Sequence, residues 1–123
     1  MSGREELERA FALDTAGDEH GAVVHYERAM DAGVPDELLG KALLGYGSTL
    51  RNVGRTDDSV RVLDEAVRRF PDDDALPVFL SFSLWTAGRQ GEALAILARR
   101  LGEGTGYERS IGAYADDIAK EGG

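Results

Sequence analysis

Residues 44–71 read LGYGSTLRNVGRTDDSVRVLDEAVRRFP, and the fold turns on this stretch. Its apolar residues recur at spacings of three and four on both sides of Gly54, the period of an amphipathic helix. Nothing in it alternates with the period of two that a strand needs. Leu43, Tyr46, Gly47 and Leu50 share a face before the glycine; Val60, Leu63, Ala66 and Val67 share one after it. A glycine between two such runs is a turn, and Pro71 closes the second run. The stretch is therefore one helix pair. Helices joined by so short a turn approach closely only where side chains are small. Gly47, seven residues before the turn, and Ser59, five after it, stand at such a crossing.

The same arrangement lies on either side. Gly17, Gly54 and Gly88 stand 37 and 34 residues apart, within the period of helical solenoids. Ala22, Ser59 and Ala93 follow them by five residues, and Ala29, Ala66 and Arg100 by twelve. Ala10, Gly47 and Ser81 precede them by seven. Larger residues, Tyr26, Leu63 and Leu97, fill the space beside each crossing.

Local signals divide the chain further. Ser2 and Glu5 have capping-box spacing ahead of a first helix from about Arg4 to Ala16. Asp18 is placed to cap the second helix, which Gly33-Val34-Pro35-Asp36 breaks. Thr56 is expected to cap the fourth, with Arg68 and Arg69 at the end where the helix dipole favours cations. Asp72, Asp73 and Asp74 offer caps for a fifth helix running to Ala87, with Pro77 tolerated in its first turn. A sixth should run from Gln90 to Leu101 with Ala93, Leu94, Leu97 and Leu101 inward. Thr105 and Glu108 have the spacing of a second capping box before a seventh helix striped by Tyr107, Ile111, Tyr114 and Ile118. The expectation is one domain over residues 1–123, with repeats at about 4–35, 36–71 and 74–102 and a terminal helix at about 106–119.

The pattern resembles the tetratricopeptide repeat. Gly47, Leu50, Gly54, Ser59, Leu63, Ala66 and Pro71 carry the resemblance in the second copy. Leu80, Leu84, Gly88, Ala93 and Leu97 carry it in the third, and Leu13, Gly17, Ala22, Tyr26 and Ala29 in the first. The blocks at 44–51 and 88–93 look like a small bacterial branch of that family, whose members mostly have no assigned activity. Glu6 and Arg9 depart from the pattern where large apolar groups are usual, and Arg100 replaces a small residue. The resemblance implies an all-α, right-handed superhelix of three helix pairs, with the seventh helix as a cap. It also implies protein or peptide binding on the concave face made by the first helix of each pair.

Superposing the repeats predicts that face. Leu7, Leu44 and Val78 form one row, Phe11, Ser48 and Phe82 the next, and Asp14, Arg51 and Trp85 the third. Arg51, near Lys41 and Asn52, would supply a cation to an otherwise apolar groove. The carboxylate-clamp arrangement of chaperone-tail binders in the family would need Lys and Asn where Leu7 and Phe11 stand, which disfavours that ligand class. The fifth helix is apolar all round, with Leu80 and Leu84 suited to a core and Phe82 and Trp85 to a ligand or to the seventh helix.

Chemistry is hard to find. His20 and His25, the two histidines, lack the i, i+4 spacing of a helical zinc site and read as surface residues. Gly45-Tyr46-Gly47-Ser48-Thr49 lacks the lysine of a phosphate loop and the glycine order of a nucleophile elbow. Its glycines fit close helix approach better. No acid, base and nucleophile converge, so no catalytic, cofactor or metal residue is assigned. With no cysteine there is no disulfide or thiolate site. The formal charge of −9 opposes duplex nucleic acid. No run is long and apolar enough for a membrane span, and no secretory h-region is present, so a cytoplasmic location is expected. Twelve arginines against two lysines suggest a GC-rich, bacterial source. The reading is a non-catalytic module for an unidentified protein or peptide. The alternatives are a homodimerising structural protein, or a small-ligand or enzyme site in the same groove.

Overall fold

The computed structural model describes residues 1–121. It holds seven helices and, among the described residues, no strand: α1 (Gly3–Thr15), α2 (Glu19–Ala32), α3 (Asp36–Asn52), α4 (Thr56–Arg69), α5 (Ala75–Thr86), α6 (Gln90–Gly102) and α7 (Glu108–Glu121). Each helix packs on its successor, and α3 also touches α1 and α5, so the pairs stack as a solenoid of tetratricopeptide type.

The three turns are built alike. Gly17, Gly54 and Gly88 hold φ of +88°, +87° and +78°, a left-handed conformation that favours glycine. The N–H that follows each glycine, on Asp18, Arg55 and Arg89, donates to the carbonyl of Leu13, Leu50 and Leu84 at 2.9 Å. These bonds satisfy carbonyls that a helix end otherwise leaves unpaired.

The crossings depend on small residues. A Cβ on Gly47 would lie 2.4 Å from Leu63 Cγ, and one on Gly45 would lie 2.5 Å from Tyr26 Oη. The glycines of this segment are therefore packing residues. Ser59 is fully buried, donates to Gly47 O at 2.6 Å, and its Oγ lies 2.7 Å from Ser83 Oγ. One apolar cluster centres on Leu50, Leu63, Leu76 and Leu80. A second joins Leu7, Ala10, Ala22, Tyr26, Ala29 and Ala42.

Several local expectations hold. Ser2 and Glu5 form the capping box, and Asp18 Oδ1 accepts from Gly21 N–H at 3.0 Å. Of the three aspartates, Asp73 accepts from Ala75 N–H at 2.9 Å. Others are corrected. Thr56 is the first residue of α4 and makes no side-chain cap; Arg55 holds the cap position. Thr105 bonds Gly102 O and Tyr107 N–H within the linker, so it forms no box with Glu108. Ala93 faces inward, but Leu94 and Leu101 are 54% and 82% exposed. In α7 the buried face runs through Ile111, Ala115 and Ile118, while Tyr107 and Tyr114 point to solvent. Ile111 and Ile118 of the expected stripe thus face inward, while Ala115 takes the inward place expected of Tyr114.

The departures from the repeat pattern have physical reasons. Glu6 is buried, and its Oε2 lies 2.6 Å from Nδ1 of His25, so the carboxylate has a partner in place of an apolar contact. His25 is accordingly an α1–α2 link and not a surface residue. Arg100 reaches away from the crossing, donating to Pro71 O and Asp73 O and holding the loop before α5.

Candidate functional site

The first helices of the pairs, α1, α3 and α5, carry the predicted groove, and their nine positions are not equivalent. Leu7 is 1% exposed and belongs to the core; it has no surface to offer a partner. Asp14 is occupied internally: its Oδ2 accepts from Tyr26 Oη and Thr49 Oγ1, each at 2.9 Å. Burial, followed by the Asp14 carboxylate, pushes the Tyr26 phenol well above its ordinary range. Phe11 is half-buried and meets Tyr26 edge to face, and the Lys41 ammonium lies over its ring, 5.8 Å from the centroid. Lys41 is thus spent on Phe11. It lies ten residues before Arg51, roughly 15 Å along the helix axis.

The second and third pairs converge. Ser48, Arg51 and Asn52 of α3 face Phe79, Phe82 and Ser83 of α5 across a pocket of about 140 Å³. Arg51 Nε donates to Thr86 Oγ1 at 2.9 Å, which fixes the guanidinium at the edge of that pocket. Thr86 Oγ1 in turn donates to Phe82 O at 3.0 Å. Ser48 Oγ donates to Gly45 O at 3.3 Å, so its hydroxyl is turned back on its own helix. Phe79 and Phe82 meet edge to face, ring centroids 6.0 Å apart. Val78, Phe82 and Trp85 are 37%, 48% and 60% exposed, spaced four and three residues apart along one face of α5. Leu44, their neighbour on α3, is partly buried.

Three of the predicted residues, Ser48, Arg51 and Phe82, therefore share one pocket, with Val78 and Trp85 on the same helix face as Phe82. Leu7, Phe11 and Asp14 of α1 do not join them. Phe79 and Ser83 were missed. Phe79 stands nine residues before its turn glycine, where α3 has Gly45 and α1 has Glu8, and that lone aromatic at a repeat position was the available signal.

Elsewhere, a larger hollow of about 470 Å³ opens between α4 and α6 on the opposite side. Val60, Leu80, Leu84 and Ile96 line its apolar part. Most of its charges are paired: Arg61 with Asp58, Asp64 with Arg68, Arg89 with Glu92 and Arg99 with Asp116. Among the described residues no group of three or more His, Cys, Asp or Glu could hold a metal ion, and no helix is long and apolar enough to cross a membrane.

A family model described as "Tetratrico peptide repeat" matches residues 3–118, nearly the whole chain. No curated protein and no solved structure matches it.

Proposed function

The chain belongs to the tetratricopeptide repeat family, and from that premise we infer that it is a non-catalytic module binding a protein segment between α3 and α5. Repeats of this family are in general protein–protein interaction modules and typically not enzymes. The observation that carries the finer reading is the exposed row Val78, Phe82 and Trp85 beside the Arg51 pocket. Aromatic side chains exposed in a shallow apolar site are the usual energetic anchors of an interface. Their four-and-three spacing suits a ligand with its own apolar anchors on one face, as a helix in a groove has. Arg51, held by Thr86 and facing the pocket, favours an acidic group beside those anchors. The module would be cytoplasmic, with a protein or peptide partner, and would use neither a nucleic acid nor a cofactor.

The site accounts for the engaged residues too. A partner that reached α1 would meet Phe11 under Lys41 and an Asp14 already holding two hydroxyls. The contact surface is therefore the second and third pairs.

The test is a peptide-display selection on the full chain, counter-selected on the Phe82→Asp chain. Trp85 is the one tryptophan and sits in the proposed site, so its fluorescence reports occupancy. Selected peptides should carry apolar anchors with an acidic residue and shift Trp85 emission to the blue. Peptides that bind both chains equally, or leave Trp85 emission unmoved, would remove this face from the function.

A further inference from the structure

The repeat register lets burial be compared position by position along the second helix of each pair. Six and thirteen residues after the turn glycine stand Val23 and Met30 in α2, Val60 and Val67 in α4, and Leu94 and Leu101 in α6. Val23 and Val60 are 5% and 9% exposed, because α3 packs over the first strip and α5 over the second. Met30 and Val67 are partly buried by the same contacts. Leu94 and Leu101 are bare, and Leu97 between them is only partly buried.

The helix that would cover this third strip is α7, and it lies elsewhere. It seats on positions seven, eleven and fourteen after the glycine: Ala95, Arg99 and Gly102. The counterparts of those positions, Val24, Arg28 and Asp31 in α2 and Arg61, Glu65 and Arg68 in α4, face solvent. Small side chains make the seat: Ala95 is buried, and a Cβ on Gly102 would lie 2.8 Å from Ile111 Cδ1. So α7 covers the outer face of α6 and leaves its forward face open. That forward face continues into a hollow of about 480 Å³ whose apolar part is Pro77, Val78, Leu97 and Leu101, with Arg100 at its rim paired to Asp74 and Glu103.

We propose that this strip is where two copies of the chain meet, α6 against α6 of the second copy, antiparallel about a two-fold axis between Leu97 and Ala98. The spacing of Leu94, Leu97 and Leu101, three then four, is the seam period of packed helices. It is self-complementary in the antiparallel sense, Leu94 of each copy meeting Leu101 of the other. The opposite end of the stack excludes a head-to-tail contact. Glu5, Glu8, Arg9 and Ala12 of α1, all exposed, stand where α5 places Leu76, Phe79, Leu80 and Ser83 against the pair before it. A second copy offering that face would set charges against the leucines, so self-association closes as an isologous pair and does not run on as a filament. Val78 borders both this hollow and the exposed row of the proposed site, but Leu94 and Leu101 do not line the Arg51 pocket and Phe82 does not line this hollow, so variants at those residues separate the two.

Sedimentation equilibrium of the full chain tests the proposal. The wild-type chain should weigh twice its 13.2 kDa, and the double variant Leu94→Glu/Leu101→Glu should weigh one chain with unchanged circular dichroism. Phe82→Asp should remain paired. Because the chain has no cysteine, cross-linking gives a second readout that needs no destabilising charge. Leu94→Cys mixed with Leu101→Cys should oxidise to a mixed disulfide, whereas Val24→Cys with Leu101→Cys should not. A wild-type chain of single mass at about 100 µM overturns the proposal and leaves the strip to another helix or to solvent. A pair that survives the double glutamate variant, or Leu94→Cys joining itself in preference to Leu101→Cys, overturns it as well.

Discussion

Ten residues before the turn glycine, the first pair carries Leu7, 1% exposed, and the third carries Val78, 37% exposed. Four residues further on, Phe11 is in contact with both Tyr26 and Lys41, while Phe82 is 48% exposed. Three further still, Asp14 holds two internal hydroxyls and Trp85 stands in solvent. The two pairs are copies in register, yet one uses these positions to hold itself together and the other presents them. The difference lies in the packing partners. In the first pair Gly3, whose Cβ would lie 2.0 Å from Gly33 O, and the buried Ala10, Ala22 and Ala29 draw α1 down onto α2, and Leu7 fills the space between. In the third pair Leu76, Leu80 and Leu84 take over the core, and the opposite side of an all-round apolar helix is left over. A repeat position thus defines a direction, and the neighbours decide whether that direction is core or site.

The largest expected effect tests this directly. Leu7→Ala should cost about 2–5 kcal/mol of stability, as a core truncation. Val78→Ala, at the same repeat position, should cost under about 1 kcal/mol. Urea unfolding of both variants measures the pair; equal costs would end the contrast between first and third repeats.

A middle-sized effect concerns how successive pairs are joined. Five residues before each turn, Thr49 and Ser83 send a hydroxyl back to the preceding pair, Thr49 to Asp14 and Ser83 to Ser59. Ser59→Leu should cost about 1–3 kcal/mol by forcing α3 and α4 apart. At the sequence level alanine looks harmless there, since Ala22 and Ala93 hold the matching places. The structure changes that expectation: Ser59→Ala leaves the buried Ser83 hydroxyl without its partner and should cost about 1 kcal/mol. A thermal melt in which the alanine variant is the more stable would show that this hydroxyl pair does not contribute.

The smallest effect separates the two joints by pH. The second joint contains only hydroxyls and a carbonyl and should not titrate. The first contains the Tyr26 phenol, which burial and Asp14 hold protonated above its ordinary range. The unfolded chain releases that proton near pH 10, so the stabilisation is complete below about pH 10 and is lost as pH rises toward the folded value. Tyr46, raised by burial and by Glu27, adds to the same alkaline loss. Stability measured from neutral pH to pH 11 should therefore fall less steeply for Tyr26→Phe than for the wild type. Parallel slopes would mean that the phenol is not held as described.

What the sequence makes legible is the set of features whose cause is local or periodic. The turn glycines, the caps at Ser2 and Asp18, the small residues at the crossings and the tetratricopeptide register all follow from residue type at fixed spacing. What it conceals depends on which neighbour arrives. Leu94 and Leu101 continue the apolar pattern of α6 and read as core, but the helix needed to bury them sits on another face. The seat of α7 was written in Ala95 and Gly102, small residues that a search for leucines passes over. His25 looked like a surface residue because its partner Glu6 lies nineteen positions away on another helix. Within the candidate site, Arg51 and Phe82 could be placed together by superposing repeats, whereas Leu7 could not be removed from it until the closeness of α1 and α2 was known.

The claim at the centre is that the third pair, together with α3, receives the partner, and that the first pair does not. Backbone chemical-shift mapping of the full chain, titrated with a peptide from the display selection, measures this most directly. The account predicts the largest shifts at Arg51, Asn52, Phe79, Phe82 and Trp85, with Leu7, Phe11 and the rest of α1 unmoved. Shifts concentrated on α1, or on Leu94 and Leu101 of α6 with α5 silent, would contradict it.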